Sequence, residues 1–124
     1  MKLGRGVVVV VDLDPTFGHE QHGMRPCIVV SDPDVVGDER FPLVCVVPIT
    51  GAPGEGLLYP PLAPGRSGLV KHSFALIDHL RSIDKRRVRR VFGELAPEEM
   101  AAIDEGLAAF LGLGSRLHGP GAIQ

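Results

Sequence analysis

The sequence predicts a mainly β domain: a small, strongly bent antiparallel barrel with one C-terminal α-helix. Three observations carry this. Short β-branched runs recur and are broken by turn residues. Apolar side chains at helical spacing occur in one segment only, near the C-terminus. A chain of 124 residues is long enough for one core but not for two.

The first strand is Val7–Val11, which Gly6 precedes and the Asp12-Leu13-Asp14-Pro15 turn ends. It does not alternate, so both of its faces need cover, one inside the barrel and the other under a helix or a second subunit. The second strand spans 26–31, with Cys27-Ile28-Val29-Val30 as its body, and Asp32-Pro33-Asp34 breaks it. Residues 35–40 read as a polar connection. The third strand is 43–49, closed by Thr50 and Gly51. Residues 51–68 are rich in proline and glycine, and within them Leu57-Leu58-Tyr59 reads as an edge strand, because the prolines after it forbid a central one. A further strand lies within 69–77, centred on Ser73–Ile77. Residues 78–84 read as a turn or a short helical segment, and 88–95 as the last strand. The helix runs over 97–111, with Met100, Ile103, Leu107, Phe110 and Leu111 on one face. Pro97 suits its first turn, Glu98 and Glu99 favour the positive end of its dipole, and Gly112 or Gly114 stops it. The domain is expected over 1–114, followed by a frayed tail over 115–124.

The net charge is -2 and the pI about 6.2, so overall charge does not advertise a nucleic-acid binder. The distribution is less even. Six of the thirteen basic residues lie between Arg81 and Arg90, and a local patch matters more to a polyanion than the total. Cys27 and Cys45 sit in apolar runs and read as small buried hydrophobes, not as a disulfide framework. Five valines followed by Asp12 are too short for a signal-peptide core or a membrane span, so a cytoplasmic protein without membrane attachment is expected.

The stretch from Gly18 to Val30 concentrates the chemistry. Glycines at both ends allow positive φ. Pro26 biases Arg25 towards an extended backbone and suits the start of a strand. A guanidinium is thereby placed where a loop meets a sheet. Glu20 can take a proton and Arg25 can stabilise a pentacoordinate phosphate; the same two residues can equally form a surface ion pair. His19 and His22 are spaced i, i+3 between glycines, unlike the helical i, i+4 pair of zinc proteases, so no metal site is expected there. Thr50 can bond a phosphate oxygen or simply cap its turn. The run of Arg81, Lys85, Arg86, Arg87, Arg89 and Arg90 reads either as a phosphate-binding strip or as a solvated strand and turn. His72 and His79 flank the strand at 73–77 and can titrate near neutrality.

Four blocks occur in order: Val-Val-Val-Asp-Leu-Asp-Pro-Thr (9–16), Gly-x-Glu-Gln-x-Gly-x-Arg-Pro (18–26), Val-Val-Pro-Ile-Thr (46–50) and Leu-x-Ser-Ile-Asp-Lys-Arg-Arg-Val (80–88). On these the chain resembles the MazF/PemK family of toxin–antitoxin ribonucleases, over roughly residues 4–113. The resemblance implies an SH3-like barrel of the kind shared with CcdB toxins and a homodimer. It implies metal-independent cleavage of single-stranded RNA without a cofactor, and silencing by a cognate MazE-like antitoxin, whose complex with the toxin binds DNA. Arg25 and Thr50 would be catalytic, with Glu20 in an acid–base role. Ser73 would help contact RNA, and His19, Gln21, His79, Arg81, Lys85, Arg86 and Arg87 would complete the RNA-binding set. The first strand lacks the aromatic common in the family, and the family's frequent Asp-Gln pair is Asp78-His79 here. A CcdB-like gyrase-binding toxin and a plain SH3-like binding module are the alternatives that keep the fold without the catalysis.

Overall fold

The computed structural model describes residues 3–114. Along them run β1 (Val7–Asp12), β2 (Met24–Val29), α1 (Pro33–Gly37), β3 (Leu43–Thr50), β4 (Pro61–Leu62), β5 (Ser73–Ala75), β6 (Arg81–Asp84), β7 (Val88–Glu94) and α2 (Pro97–Leu111). Two 3₁₀ turns, Ile77–His79 and Lys85–Arg87, flank β6. The expected tail at 115–124 lies outside the described residues.

The eight residues of β3 organise the sheet. One edge pairs with β2, from Cys27↔Pro48 to Val29↔Val46. The other edge takes β5 opposite Ile49 and Thr50, then β6 opposite Leu43–Val46. These two short strands lie end to end on the same edge, so they are one strand interrupted by the turn Ile77–His79. The Leu76 N–H still reaches the Pro48 carbonyl at 2.9 Å, and the chain then leaves the ladder before rejoining it at Arg81. On the far side β1 pairs with β2 and with β7, all antiparallel. Register shifts between Val8 and Val9 and between Val10 and Val11 bend the β1–β7 pair. The result is a curled antiparallel sheet, a half-barrel, with α2 packed on it.

Alternation sends the β-branched residues into two apolar layers. Val8, Ile28, Val47 and Ile49 join Leu62, Ala75, Ile77 and Ile103 of α2 on one face. Val9, Val11, Cys27, Val29, Val44, Val46 and Ile83 join Leu13 and Val36 of α1 on the other. The doubly apolar first strand is therefore covered within its own chain, and its composition gives no reason for a second subunit. Burial pushes the Cys27 thiol up to about 12, against the weaker opposing effect of the Arg81 charge.

Several boundaries differ from expectation for local reasons. β2 begins two residues early and takes in Arg25, which pairs with Val11. Pro26 is tolerated inside it because β3 pairing starts only at Cys27. The polar connection contains a helix: the Asp32 carboxylate accepts from the Asp34 N–H at 2.8 Å and Pro33 supplies the first turn. The edge strand is not Leu57–Tyr59 but Pro61–Leu62, which among the described residues pairs with β5 alone. Residues 81–84 form a strand, because β3 still has a free edge there. In α2 the bounds match, and Gly112 ends it at φ 71°. Phe110 and Leu111, expected on the buried face, are exposed. Gly106 is the buried contact instead: a Cβ there would lie 2.9 Å from the Leu57 carbonyl oxygen and 3.1 Å from Ile77 Cγ1.

Candidate functional site

Arg25 and Thr50 come from neighbouring strands. Carrying the β2–β3 register two residues past Cys27↔Pro48 sets Arg25 across from Thr50. By alternation Arg25 shares a face with Cys27 and Val29, and Thr50 with Val44 and Val46, so both side chains belong to the face of the second layer where that layer ends. Arg25 is half-buried, and its Nε donates to the His22 carbonyl at 3.0 Å. Among the described residues its two terminal nitrogens have no acceptor. The fork is held at its base with its outer edge unspent. Thr50 Oγ1 accepts the Ala52 N–H at 3.1 Å, which caps the turn and leaves the hydroxyl proton available to donate.

A cleft of about 320 Å³ takes its lining from the chain before Arg25 and before Thr50, though neither of the two residues lines it. His19, Glu20 and Gln21 form one wall, Asp78, His79, Leu80 and Arg81 the other, and Pro48 links it to β3. The first wall is the β1–β2 loop, which turns at Gly18 (φ 54°) and Gly23 (φ 72°) as the sequence requires. Within it Glu20 Oε1 accepts from the Phe17 N–H at 2.5 Å, and the Glu20 N–H donates to the Phe17 carbonyl at 3.1 Å. The second wall is the turn that interrupts the strand on β3. Asp78 Oδ2 accepts from the Tyr59 hydroxyl at 2.6 Å, and His79 Nε2 lies 3.8 Å from Asp78 Oδ1. That hydrogen bond raises the Tyr59 phenol above its ordinary value, with desolvation adding to it. Among the described residues Gln21 Oε1 is buried without a hydrogen-bond partner.

Five of the sequence-selected residues thus meet in one cleft: His19, Glu20, Gln21, His79 and Arg81. Arg81 Nη1 also donates to the Leu13 carbonyl at 3.0 Å, which fixes the guanidinium against the end of β1. The rest of the basic run has local partners. Lys85 Nζ donates to the carbonyls of Val35 and Asp38. Arg86 pairs with Asp84 and holds its carboxyl down at about 2, and Arg87 Nη1 donates to the carbonyls of Asp12 and Asp14. Arg89 faces the Asp12 carboxylate at 3.8 Å, and Arg90 lies over the Phe92 ring. Ser73 stands apart: it is buried and its hydroxyl donates to the Lys71 carbonyl at 3.0 Å.

Three polar groups escaped the sequence reading. Asp78 was visible only as part of a motif departure. Tyr59 lies in a proline-rich loop nineteen residues before its partner. Lys71 is brought to Thr50 by the β3–β5 pairing. A Cβ on Gly51 would stand 2.7 Å from Lys71 Nζ, so the lysine lies directly over that glycine. Among the described residues its ammonium has no ion-pair partner. The signal for it was the glycine after Thr50, which leaves the space.

A curled antiparallel β half-barrel with a C-terminal helix is the architecture of the MazF toxins. The chain superposes on MazF from Deinococcus radiodurans with a TM-score of 0.78 and 28% identity, covering 91% of this chain and 99% of that one. A MazE–MazF structure from the same organism gives 0.70 and 25%, over 92% and 99%. An endoribonuclease from a mycobacterial species, solved with its cognate antitoxin, shares the fold at 0.73 and 23%, over 91% and 98%. The family model of the PemK-like, MazF-like toxins of type II toxin–antitoxin systems matches residues 4–111. The chain belongs to that family and is the toxin of such a system. Among the described residues, no helix is long and apolar enough to cross a membrane.

Proposed function

We propose that this toxin is a sequence-specific endoribonuclease that cleaves single-stranded RNA without a metal and leaves 5′-hydroxyl ends. The reading rests on Arg25 and Thr50 at the same end of the neighbouring strands β2 and β3, where continuing the register from Cys27↔Pro48 sets them opposite, and on a cleft lined by carboxylates and imidazoles. A ribose 2′-hydroxyl attacks the adjacent phosphorus as a base takes its proton. The free nitrogens of Arg25 and the Thr50 hydroxyl stabilise the charge that builds on the phosphoryl oxygens. The 5′-oxygen leaves with a proton, and the 3′ side keeps a cyclic phosphate. Glu20, with one carboxylate oxygen beyond its bond to Phe17, and Asp78 are the bases at hand. Arg25 acts by charge and geometry, because a guanidinium is a poor acid.

The partners follow from the same reading. The substrate is RNA in the cytoplasm, and the silencing partner is a MazE-like antitoxin whose acidic, disordered segment folds over the groove. The toxin works as a homodimer. Arg86 and Arg87 at the turn before β7 lend positive potential to substrate and antitoxin alike. The test is incubation of purified toxin with RNA in EDTA, followed by mapping of every cut. Fragments with 5′-hydroxyl ends are expected. Intact RNA would overturn the reading and leave a gyrase-directed or purely binding barrel.

A further inference from the structure

We infer that the β1–β2 loop carries a base-reading device in which the Phe17 ring stacks on an unpaired RNA base and Gln21 accepts a hydrogen bond from the edge of a base in the cleft. The inference rests on the ribonuclease reading and names how its substrate is selected.

Two independent observations carry it. The first is Phe17, which is 85% exposed. A large aromatic ring in water is costly to leave uncovered, yet its backbone is not loose. The Phe17 N–H and carbonyl are both bonded to Glu20, and Gly18 beside it takes the positive φ that the tight turn needs. A ring presented from a fixed backbone loses little freedom on stacking. Unpaired bases are held in this way, since every base has a π-face whatever its sequence.

The second observation is Gln21 Oε1, buried in the cleft wall with no donor among the described residues. A buried amide oxygen in that state is rare and calls for a partner. The Glu20 and Asp78 carboxylates line the same cleft as acceptors, and Arg81 Nη1 is already bonded to the Leu13 carbonyl. The cleft's volume is at the small end of ligand sites, enough for a single planar group. A base edge with an exocyclic amine supplies the donor that this oxygen lacks. Uracil offers only its N3–H, set between two carbonyls that the cleft carboxylates oppose. Phe17 therefore contributes affinity independent of sequence, and Gln21 contributes choice.

The experiment compares wild type with Phe17→Ala, Phe17→Leu, Phe17→Trp and Gln21→Met on a mixed-sequence RNA pool. For Phe17→Ala, kcat/KM is expected to fall roughly 5- to 150-fold, the range for removing one base–aromatic stack, with kcat at saturation unchanged. Tryptophan should restore it and leucine should not. Gln21→Met should lose an enrichment for amine-bearing bases at one position near the cut. Wild-type kcat/KM for Phe17→Ala, rescue by leucine, or an unchanged cut map for Gln21→Met would each overturn the corresponding half. Loss confined to antitoxin affinity would instead make Phe17 a protein contact and overturn the stacking. If wild type binds the pool without cutting it, cleavage is refuted, and the affinities of the same variants decide the device. If it neither cuts nor binds, both fall.

Discussion

Replacing Arg25 with lysine keeps the positive charge and removes the planar fork. In the structure only Nε is committed, to the His22 carbonyl, and both terminal nitrogens are unspent. A lysine ammonium offers one centre where the guanidinium offers two parallel donors. Losing one donor aimed at developing oxyanion charge costs about 10²–10³ in kcat, or about 2.7–4 kcal/mol. The effect on folding should be far smaller. Arg25→Ala removes one half-buried side chain–backbone bond worth about 0.5–1.5 kcal/mol. With a urea slope of about 1–3 kcal/mol/M, the midpoint should move by no more than about 1.5 M. Single-turnover cleavage of RNA and urea melts on the same preparations check both numbers. Arg25→Lys cutting within threefold of wild type would remove the fork from the mechanism. An unfolded Arg25→Ala protein would show that the residue serves the sheet and not the phosphate.

Thr50→Val keeps the side-chain shape and deletes the hydroxyl; cleavage should drop by more than about tenfold, the cost of one charged-acceptor hydrogen bond, while Thr50→Ser stays near wild type. Lys71→Ala should lower the slope of log affinity against log salt for single-stranded RNA by about 0.7, one phosphate contact, and Gly51→Ala should act in the same direction by displacing the lysine. Tyr59 is the chain's single tyrosine, so its absorbance titration is unambiguous. The midpoint should exceed the ordinary 10.0, and Asp78→Asn should bring it down; the stability from this bond is complete below that value and falls as pH rises past it. For Cys27, the unfolded chain releases its proton near 9.0 while the folded one keeps it to about 12, so stability falls across that window. At mildly alkaline pH a thiol reagent should label Cys45 in the folded protein and reach Cys27 only on unfolding.

The apolar runs made β1, β2, β3 and α2 legible, because each long run can be buried in only one way. Pro97 and Gly112 placed the helix to the residue. The positions of Arg25 and Thr50 near the ends of such runs were legible for the same reason, while a catalytic role for them came from the family resemblance alone. What stayed hidden depends on pairing partners distant in the chain. The strand at 81–84 has little apolar pattern of its own and exists because β3 offers it an edge. Asp32-Pro33 reads as a break and also starts a helix, and sequence alone does not choose. The basic run showed its charge but not its partners. Carbonyls of the β1–β2 loop and α1 take donors from Arg87 and Lys85, which stiffens the scaffold next to the cleft.

The interruption between β5 and β6 has a consequence for how such a toxin diversifies. Strand pairing on either side of Ile77–His79 is already set by β3, and Ile77 is pinned from behind by α2 at Gly106. Asp78 and His79 occupy the segment that no ladder constrains. A substitution at His79 alters what the cleft meets without renegotiating the sheet, whereas Asp78 also holds the Tyr59 hydroxyl. Duplicated copies in one genome can part ways in target while sharing the same frame. His79, standing where the resemblance leads to glutamine, is a difference of that kind.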